Sequence, residues 1–348
     1  MRRSDLERSV NSASAGTAVT LEMVASEAGV SPSTVSRILN GTARVRESKV
    51  RAVEAAISKL RFTPNPVARS LARGKSMTVG IVTQAFGSPF YGEALTAIEQ
   101  RLMRANYAAL FVSGHWREAD ERRCVDHLLS RRVEGIILLN SCLPAHELVN
   151  LARGAPLILT GRNVVGERIH CLDVDSTEGA RLATEYLIGQ GHRKIAFISG
   201  PPDHADAVQR LDGYKTALAA QRVAFSKKLV AEGDYSANGG LKAMNQLIES
   251  GVEFTAAFAA NDETAYGAML ALYRHGLKVP QQVSLIGFDD LPASAFTIPP
   301  LTSVHRATGE LGENAAEAII ELIEGRPVVP KEPKATLAVR ESTRPLRR

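Results

Sequence analysis

The sequence predicts an α/β protein in which a small all-helical N-terminal region precedes a large core of parallel sheets. Two observations predict this division. From Met77 onward, short apolar runs alternate with amphipathic stretches of helical length, which is typical of parallel strands covered by helices on both faces. Before that point, residues 19–62 contain three short segments in which apolar residues recur at helical spacing.

The charge of the chain divides at the same place. Residues 1–75 contain 13 Lys and Arg against 6 Asp and Glu, a net charge of +7, whereas the full chain carries +5, so the remainder carries −2. This asymmetry indicates a polyanionic partner for the N-terminal region. The polar, Ser-rich residues 1–18 are expected to form a disordered tail and not a secretory signal. No apolar run approaches the roughly 20 residues of a membrane span, and three scattered cysteines favour reduced thiols in a cytoplasmic protein.

Residues 19–62 are predicted to form a helix-turn-helix followed by a closing third helix. Thr20 is a suitable N-cap for the first helix, Gly29 permits the turn, and Ser31 with Pro32 begins the second helix. Hydroxyl groups bond phosphates and base edges alike, and Arg can bind both acceptors of guanine. A three-helix protein-binding module is the alternative, which the local charge disfavours. The predicted DNA contacts of this region are Thr20, Ser31, Ser33, Thr34, Ser36, Arg37 and Asn40.

Residues 63–75 form the predicted linker to the core. Asn65 and Pro66 can begin a helix that Gly74 ends. At about two turns, such a helix is too short to be stable alone in water, so its order must come from a partner. An ordinary linker is the alternative interpretation.

The core reads as two successive blocks of strands and helices. In the first block the predicted strands are residues 77–83, 107–113, 134–140 and 156–160, with helices at 89–105, 118–131 and 144–151. The pattern restarts after Asp175, with helices at 177–190, 207–221, 237–250 and 263–275 and strands at 194–199, 255–260 and 282–288. A short apolar stretch, LTSVH, precedes Arg306 near the expected last crossover between the blocks.

Polar and aromatic residues stand at or near the carboxyl ends of these strands, where parallel sheets bind ligands. Carboxylates accept the O–H groups of a polyhydroxylated ligand, Arg donates to it, and rings pack on its C–H faces. Alternatively each polar residue caps the helix after its strand, and for Asn261 the spacing favours neither interpretation. Three arginines suit a sugar acid as well as a neutral sugar, and Trp116 lies outside the strand ends assigned to the cleft, which disfavours a purine. The predicted ligand contacts are Phe90, Tyr91, Arg162, Arg210, Tyr235, Asn261, Asp289 and Arg306.

Four segments, VASEAGVSPSTVSRILNG, RFTPNPVARSLARG, AANDETAYGAM and VSLIGFDD, make the chain resemble the lactose/galactose repressor family of bacterial transcription regulators. The resemblance implies a homodimer on a near-palindromic operator, with the helix from Pro32 to Leu39 in the major groove. It also implies a hinge helix that forms only on DNA and wedges Leu71 into the minor groove, a step that kinks DNA. The chain departs from the family at Pro32 and Gly161, where relatives often carry a polar side chain. The implied DNA contacts of the hinge are Asn65, Arg69, Leu71 and Ala72.

The resemblance implies a two-lobed, periplasmic-binding-protein-like core. The expected organisation is a tail at 1–18, a DNA-binding domain at 19–62, a hinge at 63–75 and a ligand-binding and dimerisation core at 76–348. The first lobe is expected over 76–175 and 306–334, and the second over 176–305 and 335–348. A dimer is expected and not a tetramer, because only RPLRR follows Thr343 and no heptad segment is present.

The expected function is a repressor of carbohydrate-utilisation genes that a sugar or sugar-acid inducer releases from its operator. A corepressor-dependent regulator binding a purine or another metabolite is the alternative within this class. An enzyme is disfavoured because the common phosphate, metal and nucleophile motifs are absent from the sequence. A periplasmic-type sugar receptor would have no use for a basic helix-turn-helix. Neither a cofactor nor a metal ion is expected.

Overall fold

A computed structural model describes residues 19–40, 45–63, 75–329, 331 and 333–346. The chain divides into two compact units, Met1–Ser76 and Met77–Arg348. The predicted tail lies outside the described residues, and so do the four predicted hinge contacts Asn65, Arg69, Leu71 and Ala72. They stay predictions.

The described part of the first unit is helical, and its three helices close around one small core. Val24, Val35 and Val53, one from each helix, are fully buried and belong to a single apolar cluster. Because each helix has one apolar stripe, burying it leaves the opposite face of every helix outward. The helices are α1 (Leu21–Glu27), α2 (Pro32–Asn40) and α3 (Glu47–Leu60).

The turn between α1 and α2 follows the local chemistry that the sequence predicts. The Thr20 hydroxyl accepts a hydrogen bond from the Met23 amide at 3.3 Å, and the Ser31 hydroxyl accepts one from the Thr34 amide at 3.2 Å. Each hydroxyl satisfies an amide that the first turn of a helix leaves free. Gly29 has a φ of +63°, in the left-handed region that glycine adopts without strain.

The first sheet of the second unit is parallel, with the strand order β2-β1-β3-β4-β5. Successive residues of its central strands enter opposite faces: Ile137 packs with Ile98 and Leu102 of the helix after β1, whereas Ile136 and Leu138 pack on the other side. The strands are β1 (Thr78–Thr83), β2 (Ala108–Ser113), β3 (Gly135–Leu139), β4 (Leu157–Thr160) and β5 (Ile169–Leu172). The helices are α4 (Pro89–Arg104), α5 (Glu118–Ser130) and α6 (Ala145–Leu151).

The second sheet has the order β11-β10-β9-β8-β6-β7, and only the pairing of β10 with β11 is antiparallel among the described strands. A Cβ at Gly267 would lie 1.8 Å from the Ala237 carbonyl oxygen, so glycine permits the two helices that contain these residues to approach closely. The strands are β6 (Ile195–Ser199), β7 (Val230–Glu232), β8 (Ala256–Ala259), β9 (Ser284–Asp289), β10 (Thr302–His305) and β11 (Thr336–Ala338). The helices are α7 (Ser176–Gly189), α8 (Ala205–Ala220), α9 (Ala237–Glu249) and α10 (Asp262–Arg274).

The chain crosses between the two sheets more than once. After β10, α11 (Thr308–Ile323) returns to the first sheet, where Ile319 shares a buried cluster with Ile81 and Ile137. We call the first sheet with its helices and α11 the first lobe, and the second sheet with its helices the second lobe. Residues 173–175, 306–307 and 324–335 connect the lobes.

The observed elements differ from the predicted ones in two ways. Helix and strand ends differ by at most two residues, which is within the ambiguity of helix termini. The strands β5, β7 and β11 are not predicted, because they are only three or four residues long and lack the continuous apolar run that marks β4 and β8. The helix α11 has a regular apolar pattern and is a plain omission from the prediction.

Candidate functional site

The outward face of α2 carries the predicted DNA-reading side chains. Ser33 and Arg37 are exposed, whereas Thr34 and Ser36 are half-buried. The Ser31 hydroxyl lies 2.9 Å from the hydroxyl oxygens of both Ser33 and Thr34. The structure therefore gathers hydroxyl groups at the start of α2 with an arginine one turn further on, which is a surface able to bond phosphates and base edges.

Two other predicted DNA contacts in this unit stand at helix ends. Thr20 is exposed and caps α1, and Asn40 is the last residue of α2. Thr20 therefore has a structural role whatever it does on DNA.

The second sheet brings five predicted ligand contacts to one edge. Tyr235 follows β7, Asn261 follows β8, Asp289 ends β9 and Arg306 follows β10. Arg210 comes from α8, the helix after β6. Because these strands are parallel, their carboxyl ends share an edge, and side chains at that edge contact the first lobe.

Arg210 is the centre of this edge, and its guanidinium is buried among acceptors. Its Nη1 donates to the Ala260 carbonyl, while its Nη2 lies 3.5 Å from an Asp206 oxygen and 3.7 Å from an Asp289 oxygen. Its Cζ lies 4.0 Å above the centre of the Phe288 ring. Ion pairs and ring stacking thus fix the guanidinium plane.

Arg306 joins the two lobes. It sits on a crossover, its side chain is only 3% exposed, and its Nη1 donates to Asp206 at 3.4 Å. Its Nη2 lies 3.9 Å from Asp173 on the crossover at 173–175, and its Cζ lies 5.4 Å from the centre of the Phe90 ring in the first lobe. The arginine therefore contacts groups that move relative to one another if the lobes open.

Three carboxyl groups and two guanidinium groups meet here, and we call Asp173, Asp206, Asp289, Arg210 and Arg306 the charge cluster. Burial raises the pKa of Asp289 to about 6 although both arginines oppose it. Burial also raises the pKa of Asp173. Burial opposes ionisation of Asp206 too, but Arg306 and Arg210 hold its pKa below its usual value. Fully ionised, the cluster carries one negative charge in excess.

Several polar atoms at this edge are buried without a hydrogen-bond partner among the described residues. Buried polar atoms are nearly always partnered, and one left alone costs about 1–3 kcal/mol. The convergence of several such atoms therefore points to a ligand that supplies the missing bonds. We call them the unpartnered set: Asp206 Oδ1, Asp289 Oδ1, Arg210 Nε, Arg306 Nε and Tyr235 Oη.

Aromatic rings from both lobes line the same edge. In the first lobe, Phe90 packs edge-on against Tyr91 at 4.9 Å between ring centres. The pKa of Tyr91 is raised, first by burial and then by the Asp206 carboxylate. The Trp116 ring packs against the His204 ring of the second lobe, with 4.7 Å between the ring centres and a tilt of 34° between the planes. The exclusion of Trp116 from the cleft is thus wrong, because the loop after β2 is itself a strand end.

A buried network that the sequence does not reveal holds the first-lobe loops. Glu121 is fully buried, and its Oε2 accepts from the Gln84 amide group at 3.2 Å and from the Cys142 N–H and S–H at 2.9 Å each. Its Oε1 accepts from the Ser141 hydroxyl. Gln84 in turn accepts from the Trp116 amide at 3.0 Å. Glu121 escapes prediction because the surrounding sequence, EADERR, reads as a solvated helix.

Asn261 is the N-cap of α10. Its Oδ1 accepts from the Thr264 amide at 2.9 Å, and its Nδ2 donates to the Tyr235 carbonyl at 2.9 Å. The capping role that the sequence left open is therefore present, and any ligand contact would use its remaining N–H and lone pair.

Arg162 forms its hydrogen bonds with residues outside the charge cluster. Its Nη1 donates to the carbonyl oxygens of Ser141 at 3.2 Å and Leu143 at 2.7 Å. Its role in the structure is to tie the loop after β3 to the end of β4. The structure thus does not bring the three predicted arginines into one anion-binding group.

The described residues contain no group of three or more His, Cys, Asp and Glu side chains placed to hold a metal ion. Within the same residues, every helix is too short or too polar to span a bilayer.

Both units match known families. Residues 20–65 match the model of bacterial regulatory proteins of the lacI family, and residues 184–343 match that of the periplasmic binding protein-like domain. The chain is 36% identical over 310 residues to the HTH-type transcriptional regulator GalR of Escherichia coli K12, with 89% of this chain and 90% of that one covered.

Two solved structures extend the likeness to the fold. One is the lac repressor dimer bound to operator and the anti-inducer ONPF, with a TM-score of 0.85 and 28% identity, covering 94% of this chain and 100% of that one. The other is the transcriptional regulator CelR in complex with cellobiose, with a TM-score of 0.71 and 32% identity, covering 93% and 99%.

Proposed function

The chain belongs to the lacI family of bacterial regulatory proteins, and on that premise we propose a cytoplasmic repressor of carbohydrate-utilisation genes that a neutral sugar releases from its operator. A homodimer presents two copies of α2 to the half-sites of a palindrome, one in each major groove. The observation that carries the sugar assignment is the unpartnered set at the edge of the second lobe.

The chemistry of the unpartnered set fits hydroxyl groups. It offers two carboxylate oxygens that accept, two arginine N–H groups that donate and one phenol that does either. A hydroxyl donates one hydrogen and accepts at its oxygen, so neighbouring hydroxyls of a sugar can satisfy a carboxylate and an arginine together. The aromatic wall of Phe90 and Tyr91 supplies a surface for C–H groups.

The charge of the cluster favours a neutral sugar over a sugar acid. Its two arginines already face three carboxyl groups, so a ligand carboxylate would add a fourth negative group to a buried site. Arg162, the third predicted arginine, is bonded to loop carbonyls. The cellobiose complex of CelR, a relative of the same family, supports a sugar as the class of effector.

Release from DNA follows from unequal affinity of the sugar for two arrangements of the lobes. A sugar that bridges Arg306 and Asp289 stabilises whichever arrangement keeps both within reach. We propose that this arrangement separates the paired hinges and withdraws the predicted Leu71 wedge. Leu71 lies outside the described residues, so its part rests on the sequence alone.

The homodimer requires a surface that a second copy covers. On the second lobe, Tyr273 is 80% exposed, Phe296 85% and Ile298 92%. The Tyr266 hydroxyl lies 2.7 Å from that of Ser294, which joins α10 to the segment bearing Phe296. We propose that the partner protomer covers these three side chains. Tyr273→Glu should shift the dimer towards monomer in analytical ultracentrifugation and weaken operator binding with it.

One set of experiments tests the assignment. Selection from a random DNA pool yields the operator, and anisotropy titration with the labelled duplex should show affinity that falls steeply as salt rises. A thermal-shift panel of D-galactose, D-ribose, D-glucose, D-galacturonate and hypoxanthine should show stabilisation by a neutral sugar, which binding to the native state produces by mass action. The same sugar should weaken operator binding.

Each arm has an outcome that contradicts the proposal. Stabilisation by hypoxanthine with tighter operator binding would establish a corepressor instead, and stabilisation by D-galacturonate alone would overturn the charge argument. Arg37→Ala is the matched control, since it should weaken operator binding and leave the thermal shift with sugar unchanged.

A further inference from the structure

One end of the cleft is closed by a ring contact between the lobes. Trp116, in the loop after β2, stacks on His204 at 4.7 Å with the ring planes 34° apart. Trp116 follows β2, an edge strand of the first sheet, and His204 follows β6, which lies next to the edge strand β7 of the second sheet. The contact therefore lies on the β7 side of the second sheet, three strands away from β10, which Arg306 follows.

The first lobe holds Trp116 in an unusual backbone conformation. His115 and Trp116 have φ values of +54° and +57°, in the left-handed region that bulky residues avoid. Such strain persists only where surrounding bonds enforce it. Here the Trp116 amide donates to Gln84, which itself donates to the fully buried Glu121. A Cβ at Gly114 would lie 2.9 Å from Gln84 Oε1, so the approach of the loop is close.

The second lobe places His204 directly beside the unpartnered set. His204 is the N-cap residue of α8, two positions before Asp206. Its ring lies 5.8 Å from that of Tyr235, whose hydroxyl belongs to the unpartnered set. The Trp116–His204 pair is thus linked to the unpartnered set by the contact between the His204 and Tyr235 rings.

The cleft is therefore bounded at both ends. Arg306 and Asp173, on two crossovers, form one end, and the Trp116–His204 pair forms the other. We propose that this pair determines effector specificity by limiting the ligand to a single sugar ring, because a second ring would have to separate Trp116 from His204. The inference rests on the proposed function in that it takes the effector to be a sugar.

Fluorescence without any ligand tests whether the contact forms in solution. Trp116 is the only tryptophan of the chain, so its emission reports this site alone. His204→Ala should increase quenching of that emission by acrylamide, whereas His275→Ala, at an exposed histidine elsewhere on the second lobe, should not. Equal quenching in wild type and His204→Ala would overturn the proposal.

Calorimetric titration tests the specificity. The probes are D-galactose and D-glucose as single rings, and lactose and cellobiose as double rings. Wild type should prefer one of the single rings by at least roughly tenfold, a typical discrimination for steric fit. Trp116→Ala and His204→Ala should each reduce that ratio towards one, while Trp116→Phe, which keeps a ring, should preserve most of it.

The outcomes separate this inference from the proposed function. If wild type binds a double ring as tightly as a single ring, or if the ratio is the same in Trp116→Ala, the size limit is wrong and the sugar assignment stands. If no probe binds to wild type or to either alanine variant, and no neutral sugar of the thermal-shift panel stabilises the wild type, the sugar assignment itself fails and the size limit fails with it.

Discussion

Glu121 in the first lobe and Asp289 in the second are both buried carboxyl groups near the cleft, and they differ in how completely their oxygens are partnered. Both oxygens of Glu121 accept hydrogen bonds, from Gln84, Ser141 and Cys142. Asp289 Oδ1 accepts none from the described residues, and Arg210 Nη2 is 3.7 Å away. Both carboxyl groups are buried, so what distinguishes Asp289 is the hydrogen bonds that its Oδ1 lacks.

A third carboxyl group shows that the number of hydrogen bonds does not depend on which lobe the residue lies in. Asp262 is fully buried in the second lobe, and its Oδ2 accepts from the Leu291 amide at 2.7 Å and the Ser294 hydroxyl at 2.5 Å. Its Oδ1 accepts from the Ser303 hydroxyl at 2.5 Å. The carboxyl groups of Glu121 and Asp262 are thus fully partnered within the fold, whereas we propose that the free oxygen of Asp289 is partnered by the ligand.

The largest expected effect breaks the partnered network. Glu121→Ala leaves four donors without an acceptor in the interior, so the free energy of unfolding of the core should fall by about 3 kcal/mol. Urea unfolding followed by circular dichroism measures this. Operator binding at a temperature where the variant is folded should be close to wild type.

Glu118→Ala is the matched control, because Glu118 is on the same helix with a side chain that is 57% exposed. Its unfolding free energy should change by no more than about 0.5 kcal/mol. If both variants lose the same amount, the bonds to Glu121 do not stabilise the fold as the comparison requires.

The sequence predicts the second-lobe edge better than the first-lobe loops, for a physical reason. Tyr235, Asp289 and Arg306 stand at the carboxyl ends of β7, β9 and β10, which run parallel in one sheet, and topology alone brings such residues to one edge. From the sequence, Asp206 is an ordinary acidic residue in the first turn of a helix, where its negative charge interacts favourably with the helix dipole. Its pairing with Arg306 depends on how the lobes pack, which no local pattern encodes.

The first-lobe loops show the same limit more strongly. The strand alternation predicts where β1, β2 and β3 lie, and the helix-turn-helix is readable from caps and apolar spacing. The burial of Glu121 and the contact of Trp116 with His204 join segments far apart in the chain. Periodicity describes which face of an element is apolar, and it carries no information about which loop end meets another.

The second expected effect breaks the incomplete site. Asp289→Asn removes the charge that accepts a sugar hydroxyl and should weaken binding of the sugar selected by the thermal-shift panel by about 100-fold, as for a charged hydrogen bond. Operator binding should become insensitive to that sugar. The unfolding free energy should not fall, since burial already disfavours the ionised form.

Asp290→Asn is the control for this variant. Asp290 is adjacent in sequence, but its carboxyl group faces Arg340 at 2.7 Å and His305 at 3.2 Å. Calorimetry should show sugar affinity close to wild type. Comparable losses in both variants would mean that Asp289 does not contact the sugar.

The pH dependence of stability sharpens the comparison in a third way. Burial raises the pKa of Asp289 from its usual 3.8 to about 6 in the folded protein, so the folded state binds this proton more tightly than the unfolded state. Its contribution is therefore favourable below about pH 4 and is lost as pH rises through about 6. Asp289→Asn should flatten the stability profile between pH 4 and 6 relative to wild type. Parallel profiles for the two proteins would contradict the raised pKa.

The smallest expected effect compares two buried phenols. Tyr214 Oη donates to the Ile195 carbonyl at 2.8 Å, whereas Tyr235 Oη has no partner among the described residues. Tyr214→Phe should cost about 1 kcal/mol of unfolding free energy and leave sugar affinity unchanged. Tyr235→Phe should do the reverse, with no loss of stability and sugar binding weaker by about tenfold. Both substitutions remove one phenol hydroxyl, so their effects should differ only because the Tyr214 hydroxyl has a hydrogen-bond partner before the ligand binds and the Tyr235 hydroxyl does not. Equal losses of unfolding free energy in the two variants would show that the unpartnered set does not mark the site.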